Sequence, residues 1–132
     1  MVTEEAPGDG DVLWLTLDPT LGHDQRGRRP FLVLSPRDYN QKTSLVVGCP
    51  ITSIRKGYPF EVCVSGVEGV EGVALSDQLK SLDWRTRKAE IAGKANIATT
   101  NAVRSLVRRL LAIPYGLFPE GPPAGTTSDS LV

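Results

Sequence analysis

Histidine and cysteine are both scarce in this chain of 132 residues, which has one histidine, His23, and two cysteines, Cys49 and Cys63. A single histidine excludes a two-histidine acid–base mechanism within one protomer. One histidine and two cysteines also fall short of a tetrahedral zinc site and lack its spacing, so we expect neither a metal nor another cofactor. Both cysteines lie among β-branched and apolar residues, which predicts two buried, reduced thiols.

Long apolar runs and an excess of charge are missing as well. No run approaches the ~18 apolar residues of a transmembrane helix, and the acidic, polar start lacks the basic and apolar segments of a secretory signal. We therefore expect a cytoplasmic protein without membrane contact. The 15 Lys and Arg residues balance 15 Asp and Glu residues, which excludes a uniformly basic nucleic-acid binder. Basic residues nevertheless cluster at 22–29 and 84–94, so a local anion-binding groove stays open.

Short β-type segments are, by contrast, abundant. Six candidate strands cover residues 12–17, 31–34, 44–51, 60–65, 73–82 and 88–91, with Gly- and Pro-containing segments between them. Phe60, Val62 and Val64 alternate with other residue types, which is the period of a half-buried strand. Six short strands over about eighty residues predict a small, strongly bent, mainly β barrel rather than βαβ units.

Two segments have helical character. Residues 36–40 form at most one turn. A longer helix is predicted from Thr99 or Thr100 to Ile113, because Val103, Leu106, Val107, Leu110 and Leu111 fall on one stripe. A threonine would cap its start, and the following proline would end it.

The end of the chain differs in composition from the rest. Residues 114–132 are rich in Pro, Gly, Ser and Thr, which predicts a loosely packed tail. The predicted organisation is therefore one barrel domain over residues 1–113, with an acidic extension at 1–9, followed by the tail.

Three ordered segments of the chain carry a family resemblance. They are residues 10–30, with Gly-Asp-Val-Leu-Trp, Asp-Pro-Thr and a loop ending Arg-Arg-Pro; residues 33–53, with Val-Leu-Ser-Pro, Tyr-Asn and Cys-Pro-Ile-Thr-Ser; and residues 56–81, with Lys-Gly-Tyr-Pro-Phe-Glu-Val and Gly-Val-Ala-Leu-Ser-Asp-Gln. Together they resemble the MazF/PemK family of bacterial toxin ribonucleases over residues 10 to about 112.

The resemblance implies an SH3-like barrel with a C-terminal α-helix, in most members a homodimer. It also implies metal-independent cleavage of single-stranded RNA within a short recognition sequence. The implied protein partner is a cognate antitoxin whose flexible tail covers the RNA site. In the family the catalytic pair is the arginine before the first-loop proline and the threonine after the third strand, which are here Arg29 and Thr52.

The residue types fit part of that chemistry. The fork of Arg29 can donate two parallel hydrogen bonds to a phosphate and remains charged at working pH, and Thr52 can donate one and orient the phosphate. Neither is a good base, so the acceptor of the 2′-proton stays open among Asp24, Gln25, His23 and a water. We take Asp24 as the candidate.

A second group of residues is predicted to contact RNA. It comprises Gln25, Arg28, Ser53, Arg55, Lys56, Tyr58, Asp77 and Gln78. Cations interleaved with an aromatic ring suit a single strand, whose phosphates and bases they contact respectively. Trp14 is predicted to lie in the core, whereas Trp84, between charged neighbours, is predicted to be less buried and is a candidate for stacking on a base.

Departures from the family pattern and competing functions remain. Arg28 stands where histidine is frequent, and Asp24 stands where a longer glutamate can occur, which affects the proton-transfer assignment and the cleavage sequence. One alternative function is a protein-binding toxin of the CcdB gyrase-poison type, but that type ends in a Trp-Gly-Ile segment and this chain ends in Ser-Leu-Val. Another is a non-catalytic RNA-binding relic, against which the intact Arg29 and Thr52 argue.

Overall fold

The computed structural model describes residues 5–17 and 27–114 of the chain. Within them lie seven strands and two helices: β1 (Asp11–Thr16), β2 (Arg28–Val33), α1 (Arg37–Thr43), β3 (Leu45–Thr52), β4 (Glu61–Val67), β5 (Val70–Leu75), β6 (Lys80–Asp83), β7 (Glu90–Lys94) and α2 (Ile97–Leu110). Apart from Pro114, the tail predicted at 114–132 falls outside the described residues, as do Met1 to Glu4 of the acidic extension.

The strands form one strongly bent antiparallel sheet in the order β4-β5-β3-β2-β1-β7, with β6 paired to β3 off this path. Strand β3 is shared between two neighbours: its first half pairs with β6 and its second half with β5. Such sharing lets a short sheet curl into a near-closed barrel. The predicted mainly β barrel with a C-terminal helix is thereby confirmed.

Two apolar clusters pack on opposite faces of the central strands, because successive residues of a strand point to opposite sides. Val12 and Leu32 join the cluster that includes Val103 of α2. Leu13, which follows Val12, and Phe31, which precedes Leu32, join the other cluster, which contains Trp84. Both faces of β1 and of the second half of β2 are therefore buried, which fixes the position of the residues at their ends.

Helix α1 is longer than the single predicted turn, and it organises a buried polar network. The Asn40 amide donates to the carbonyls of Pro7 and Ser35 at 2.8 and 3.0 Å, and the indole of Trp84 donates to the Asn40 carbonyl at 2.9 Å. Trp84 is only 1% exposed, so the prediction that it is available to stack on a base is wrong. Its polar neighbour Arg85 instead covers the ring, 4.4 Å from the centroid.

Helix α2 begins earlier than predicted. Its cap is the side chain of Asn96, which accepts from the Thr99 backbone N–H at 2.8 Å, and not a threonine. It ends at Leu110, four residues before the proline that was expected to end it, and the chain reverses at Ala112 with φ 56°. Its apolar stripe is buried at Val103 but 42% exposed at Leu110. The described residues contain no helix that is long and apolar enough to cross a membrane.

Two further differences from the sequence prediction concern the strands. The single strand predicted at 73–82 is two strands, β5 and β6, separated by a turn in which the Gln78 N–H donates to the Leu75 carbonyl at 3.0 Å. Strand β7 lies two to three residues later than the predicted 88–91 segment. Neither difference alters the barrel, because the alternation of the core residues is preserved.

Candidate active site

A groove of about 660 Å³ opens where β2 begins, β3 ends and β5 begins. Its described lining consists of Trp14, Arg28, Arg29, Pro30, Ile51, Thr52, Ser53, Ile54, Gly69, Val70 and Glu71. Phe31 pairs with Pro50 at the end of the ladder between β2 and β3. Arg29 and Thr52 lie two residues beyond this pair on their strands, and both line the groove. The structure thus brings together the two residues predicted to be the catalytic pair.

The hydroxyl of Thr52 has a defined orientation. Its Oγ1 accepts a hydrogen bond from the Ile54 backbone N–H at 3.2 Å, which closes the local turn at the end of β3. An acceptor bond of this kind leaves the hydroxyl proton available to a ligand. Thr52 thus borders the groove with a hydroxyl that can still donate one hydrogen bond.

The backbone of Thr52 is held by an unusually close approach of β5. A Cβ at Gly72 would overlap the Thr52 carbonyl oxygen and lie 2.7 Å from its carbon and 3.0 Å from the Ser53 Cα. The φ of Gly72 is +142°, which a residue with a side chain rarely adopts. Glycine at this position is what allows β5 to pack against the end of β3.

Arg29 is exposed at the groove, and its Nη1 donates to the Arg28 carbonyl at 2.9 Å. This bond holds part of the guanidinium against the backbone. The planar fork of an arginine has five N–H donors in all, and Arg29 borders the groove with it.

Arg28 occupies a quite different environment, although it is adjacent in the chain. Its guanidinium donates to the carbonyls of Trp14, Arg87 and Lys88 at 2.9 to 3.2 Å and forms an ion pair with Glu90 at 3.0 Å. Its side chain is only 14% exposed. The arginine thus ties the start of β2 to β1 and to the segment before β7.

Trp14 was expected in the core, and the structure partly changes that expectation. The ring is half-buried and packs against the inner apolar cluster. It also lines the groove beside Arg29. The wall of the groove is therefore partly aromatic.

A second, smaller cavity of about 170 Å³ adjoins Thr52 and collects several predicted RNA-contact residues, among them Lys56, Tyr58 and Gln78. The Tyr58 hydroxyl donates to the Asp77 carboxylate at 2.8 Å. This hydrogen bond, with a smaller contribution from burial, raises the pKa of Tyr58 above its ordinary value. The bond joins the β3–β4 loop to the turn that follows β5.

Glu61 is a residue that the sequence reasoning missed. Its two carboxylate oxygens accept from the backbone N–H groups of Lys56 and Gly57 at 2.8 and 2.9 Å. Gly57 has φ +79°, so consecutive N–H groups converge into an anion-binding nest. A carboxylate four residues after a Lys-Gly pair was the available signal. Glu61 fixes the loop that presents Lys56.

Arg55 points to the other side of that loop and meets a cysteine. Its Nη1 lies 3.3 Å from the Cys63 sulfur. Cys63 is exposed, so the prediction that both thiols are buried is wrong. Cys49 is buried as predicted, and burial raises the pKa of its thiol to about 12. The alternation along β4 explains the difference, because Cys63 points outward between the inward-facing Val62 and Val64.

Three of the predicted site residues belong to the first loop. Asp24, Gln25 and His23 lie outside the described residues. Among the described residues that line the groove, the carboxylate is that of Glu71. The sequence reasoning missed it, since it belongs to the short Val-Glu-Gly duplication that reads as an ordinary loop.

Comparison with known proteins matches residues 9–111 to the family described as "PemK-like, MazF-like toxin of type II toxin-antitoxin system". The chain is 50% identical over 93 residues to "Endoribonuclease toxin MazF" of Escherichia coli (strain K12), covering 70% of this chain and 83% of that protein. It is 37% identical over 83 residues to "Endoribonuclease PemK" of Escherichia coli, covering 59% and 62% respectively. The CcdB-type alternative is therefore not favoured.

Solved structures give the same result. The crystal structure of MazF from Deinococcus radiodurans matches with a TM-score of 0.73 and 47% identity, over 82% of this chain and 98% of that chain. A MazE–MazF structure from the same organism matches with a TM-score of 0.73 and 43% identity, over 83% and 98%. Since both the sequence match and the fold extend over most of its length, the chain belongs to the PemK-like, MazF-like family of toxins of type II toxin–antitoxin systems.

Proposed function

We propose that this toxin, an endoribonuclease of the MazF type, cleaves single-stranded RNA at a short recognition sequence without a metal ion. The observation that carries the proposal is the meeting of Arg29 and Thr52 in one groove, where the Thr52 hydroxyl oxygen accepts from the Ile54 N–H and its proton can still be donated. A guanidinium and a hydroxyl facing one cavity are suited to hold a phosphate.

The proposed reaction is an internal displacement. A ribose 2′-oxygen loses its proton and attacks the adjacent phosphorus, the bond to the 5′-oxygen breaks, and that oxygen takes up a proton. The products are a 2′,3′-cyclic phosphate and a free 5′-hydroxyl.

Arg29 stabilises the extra negative charge on the pentavalent phosphate, and one such donor contributes about 3 to 4 kcal/mol. Thr52 donates one further hydrogen bond and orients the phosphate. We keep Asp24 as the candidate acceptor of the 2′-proton, because a guanidinium and a hydroxyl are both poor bases.

The remaining RNA contacts divide between binding and positioning. Lys56, Tyr58 and Gln78 border the cavity next to Thr52 and are proposed to contact the strand beyond the cleavage point, with Ser53 at the junction. Tyr58 offers a ring for stacking, worth about 1 to 3 kcal/mol per base. Arg28, whose donors are engaged with the barrel, supports the position of Arg29.

The protein partner of this toxin is its cognate antitoxin. We propose that an acidic, apolar antitoxin tail lies along the groove. Its charge would meet Arg29, and its apolar side chains would meet Trp14 and Ile54. Occupying the groove in this way would exclude RNA.

We further propose that the toxin is a homodimer that acts in the cytoplasm, where mRNA is the substrate. The end of α2 and its C-cap keep an uncovered apolar stripe, with Leu110 and Leu111 42% and 53% exposed. A largely apolar cavity of about 540 Å³, bordered by Val107 and Ile113, adjoins it. A second copy is the occupant that would bury this stripe. Sedimentation tests the proposed dimer: we expect the wild-type protein to sediment as a dimer and the Leu110→Glu variant to sediment as a monomer.

The test of the reaction uses a long RNA incubated with the full-length protein in EDTA, followed by mapping of the new 5′ ends. We expect cuts at a short motif, loss of cutting with Arg29→Ala, and normal cutting with Lys42→Ala, which removes an exposed base on α1. Cleavage that needs added magnesium, or an Arg29→Ala protein that cuts normally, would refute the proposal. Asp24→Asn is compared across pH, since loss of a general base removes the acid limb of the rate profile.

A further inference from the structure

We propose that Glu71 is a specificity-determining residue: its carboxylate accepts a hydrogen bond from the amino group of a nucleobase beside the cleaved phosphate, and so disfavours uracil at that position. The inference rests on the proposed function, because it needs Arg29 and Thr52 to hold the phosphate. The ligand is a base that carries an exocyclic amino group.

The position of Glu71 in the barrel brings it to the phosphate-binding pair. Val73 pairs with Thr52 across β5 and β3, and Glu71 precedes Val73 by two residues on the same strand. Diagonal neighbours of this kind lie about 7 to 8 Å apart. Glu71 is exposed and lines the same groove as Arg29 and Thr52.

The carboxylate of Glu71 is also uncommitted within residues 5–17 and 27–114. Glu61 is engaged with two backbone N–H groups, Glu90 with Arg28 and Asp77 with Tyr58. For Glu71 there is no hydrogen bond or ion pair to a side chain in that part of the chain, although it sits in the groove. Its acceptor oxygens are therefore available to a ligand.

The chemistry of the two walls decides which part of a nucleotide meets Glu71. A phosphate is attracted to the Arg29 and Thr52 wall and repelled by a carboxylate. The base and the phosphate leave the ribose in different directions, so a strand whose phosphate is on one wall can turn a base towards the other. A carboxylate has acceptors only. It pairs with the amino groups of cytosine, adenine or guanine and is repelled by the flanking carbonyls of uracil.

The same hairpin supplies a matched control. Glu68 lies in the two-residue turn between β4 and β5, three residues from Glu71. It is exposed and, like Glu71, borders a neighbouring depression with Arg55, but unlike Glu71 it does not line the groove of Arg29 and Thr52. Substituting either glutamate by glutamine removes one negative charge from the same hairpin, so only a local role separates the two variants.

The experiment is cleavage of a randomised RNA pool in EDTA by wild-type protein, Glu71→Gln and Glu68→Gln, with sequencing of the new 5′ ends. In wild type we expect uridine to be depleted by about tenfold at one position next to the cut. Glu71→Gln should abolish the depletion while cutting continues, because an amide both donates and accepts. Glu68→Gln should retain the wild-type profile.

Binding gives the same comparison without cleavage. Oligonucleotides that carry a 2′-deoxy sugar at the cut cannot react, and wild type should bind the version with adenine or cytosine at that position more tightly than the version with uracil. Glu71→Gln should bind these versions equally.

Several results would overturn the inference. One is a Glu71→Gln profile that keeps the uridine depletion; another is a uniform loss of rate with loss of the acid limb of the pH profile, which would make Glu71 the base. Equal binding of all the oligonucleotides by wild-type protein would also overturn the inference. Failure of the proposed function has a different signature, namely no cutting by wild type in EDTA or undiminished cutting by Arg29→Ala. Near-UV circular dichroism of both glutamine variants checks that the fold is unchanged.

Discussion

We expect Gly72→Ala to disable the toxin by displacing Thr52, even though the substitution adds one methyl group and touches no RNA. The new Cβ would overlap the Thr52 carbonyl oxygen and stand 2.7 Å from the carbonyl carbon. The obstructing atoms belong to the backbone of β3, so no side-chain rotation relieves the clash. The strands must separate where the proposed catalytic threonine is held.

The size of the effect follows from two contributions. Carbon atoms in contact settle at about 3.5 to 4.0 Å, so an approach of 2.7 Å requires a displacement of about 1 Å. Overpacking of this kind costs about 1 to 3 kcal/mol, and a φ of +142° adds backbone strain of about 1 to 3 kcal/mol. A displacement of about 1 Å at a catalytic group lowers the rate by about 100-fold.

Gly66→Ala is the matched control for this substitution. Gly66 also has a positive φ, +84°, but a Cβ placed there meets no heavy atom within 4 Å. It lies in the irregular part of β4, away from the groove lining of Arg29 and Thr52. We therefore expect a stability loss of about 1 to 2 kcal/mol from backbone strain and cleavage at the wild-type rate.

The assay combines urea unfolding with single-turnover cleavage of an oligonucleotide that contains the mapped motif. Single-turnover rates separate the chemical step from product release. The reasoning would be refuted if Gly72→Ala cleaved as fast as Gly66→Ala while both remained folded. It would also be refuted if Gly72→Ala were no less stable than Gly66→Ala.

Three further predictions concern stability and reactivity. Arg28→Ala should lower the free energy of unfolding, measured by urea titration, by about 3 kcal/mol, because each charge-assisted hydrogen bond in a part-buried site contributes about 1.5 to 3 kcal/mol. Unchanged stability would contradict the observed hydrogen bonds between Arg28 and the barrel. A thiol reagent at pH 8 should label one cysteine, Cys63, in the native protein and Cys49 only after unfolding, with mass spectrometry as the readout. The hydrogen bond from Arg104 lowers the pKa of Asp9 below its ordinary 3.8. At pH values above 3.8 the bond therefore stabilises the folded protein, and this stabilisation is lost as the pH falls through the lowered pKa. Asp9→Asn should cost at most about 1 kcal/mol at pH 7, and the cost should shrink as the pH falls below 3.8.

The barrel was predictable because its signals are local. Alternating apolar residues define the strands, and a stripe at helical spacing defines α2. The fusion of β5 and β6 into one predicted strand arose because the turn between them, residues 76–79, contains neither Gly nor Pro. Its geometry depends instead on a backbone hydrogen bond from Gln78 to Leu75. A turn that is defined by a backbone hydrogen bond cannot be recognised from the types of its residues alone.

The burial of particular side chains was less predictable, because it is decided by residues distant in the chain. Trp84 has charged neighbours on both sides, yet its indole finds the carbonyl of Asn40, 44 residues away. Cys63 has the same β-branched and apolar setting as Cys49, yet it faces outward because it falls on the other side of its strand. Sequence composition cannot distinguish these cases until the register of the sheet is known.

The two consecutive arginines at the start of β2 show how the barrel separates binding from support. Neighbouring residues of a strand point to opposite faces, so the side chains of Arg28 and Arg29 have different partners, although both residues border the groove. The two terminal nitrogens of Arg28 donate to three carbonyls, to the Thr16 hydroxyl and to the Glu90 carboxylate. These bonds connect β2 to β1 and to β7. Arg29 faces the groove across from Thr52. A flexible guanidinium can stabilise a transition state only if its backbone is held still. The fixed Arg28 holds the backbone one residue away from Arg29, which would support the catalytic role proposed for Arg29.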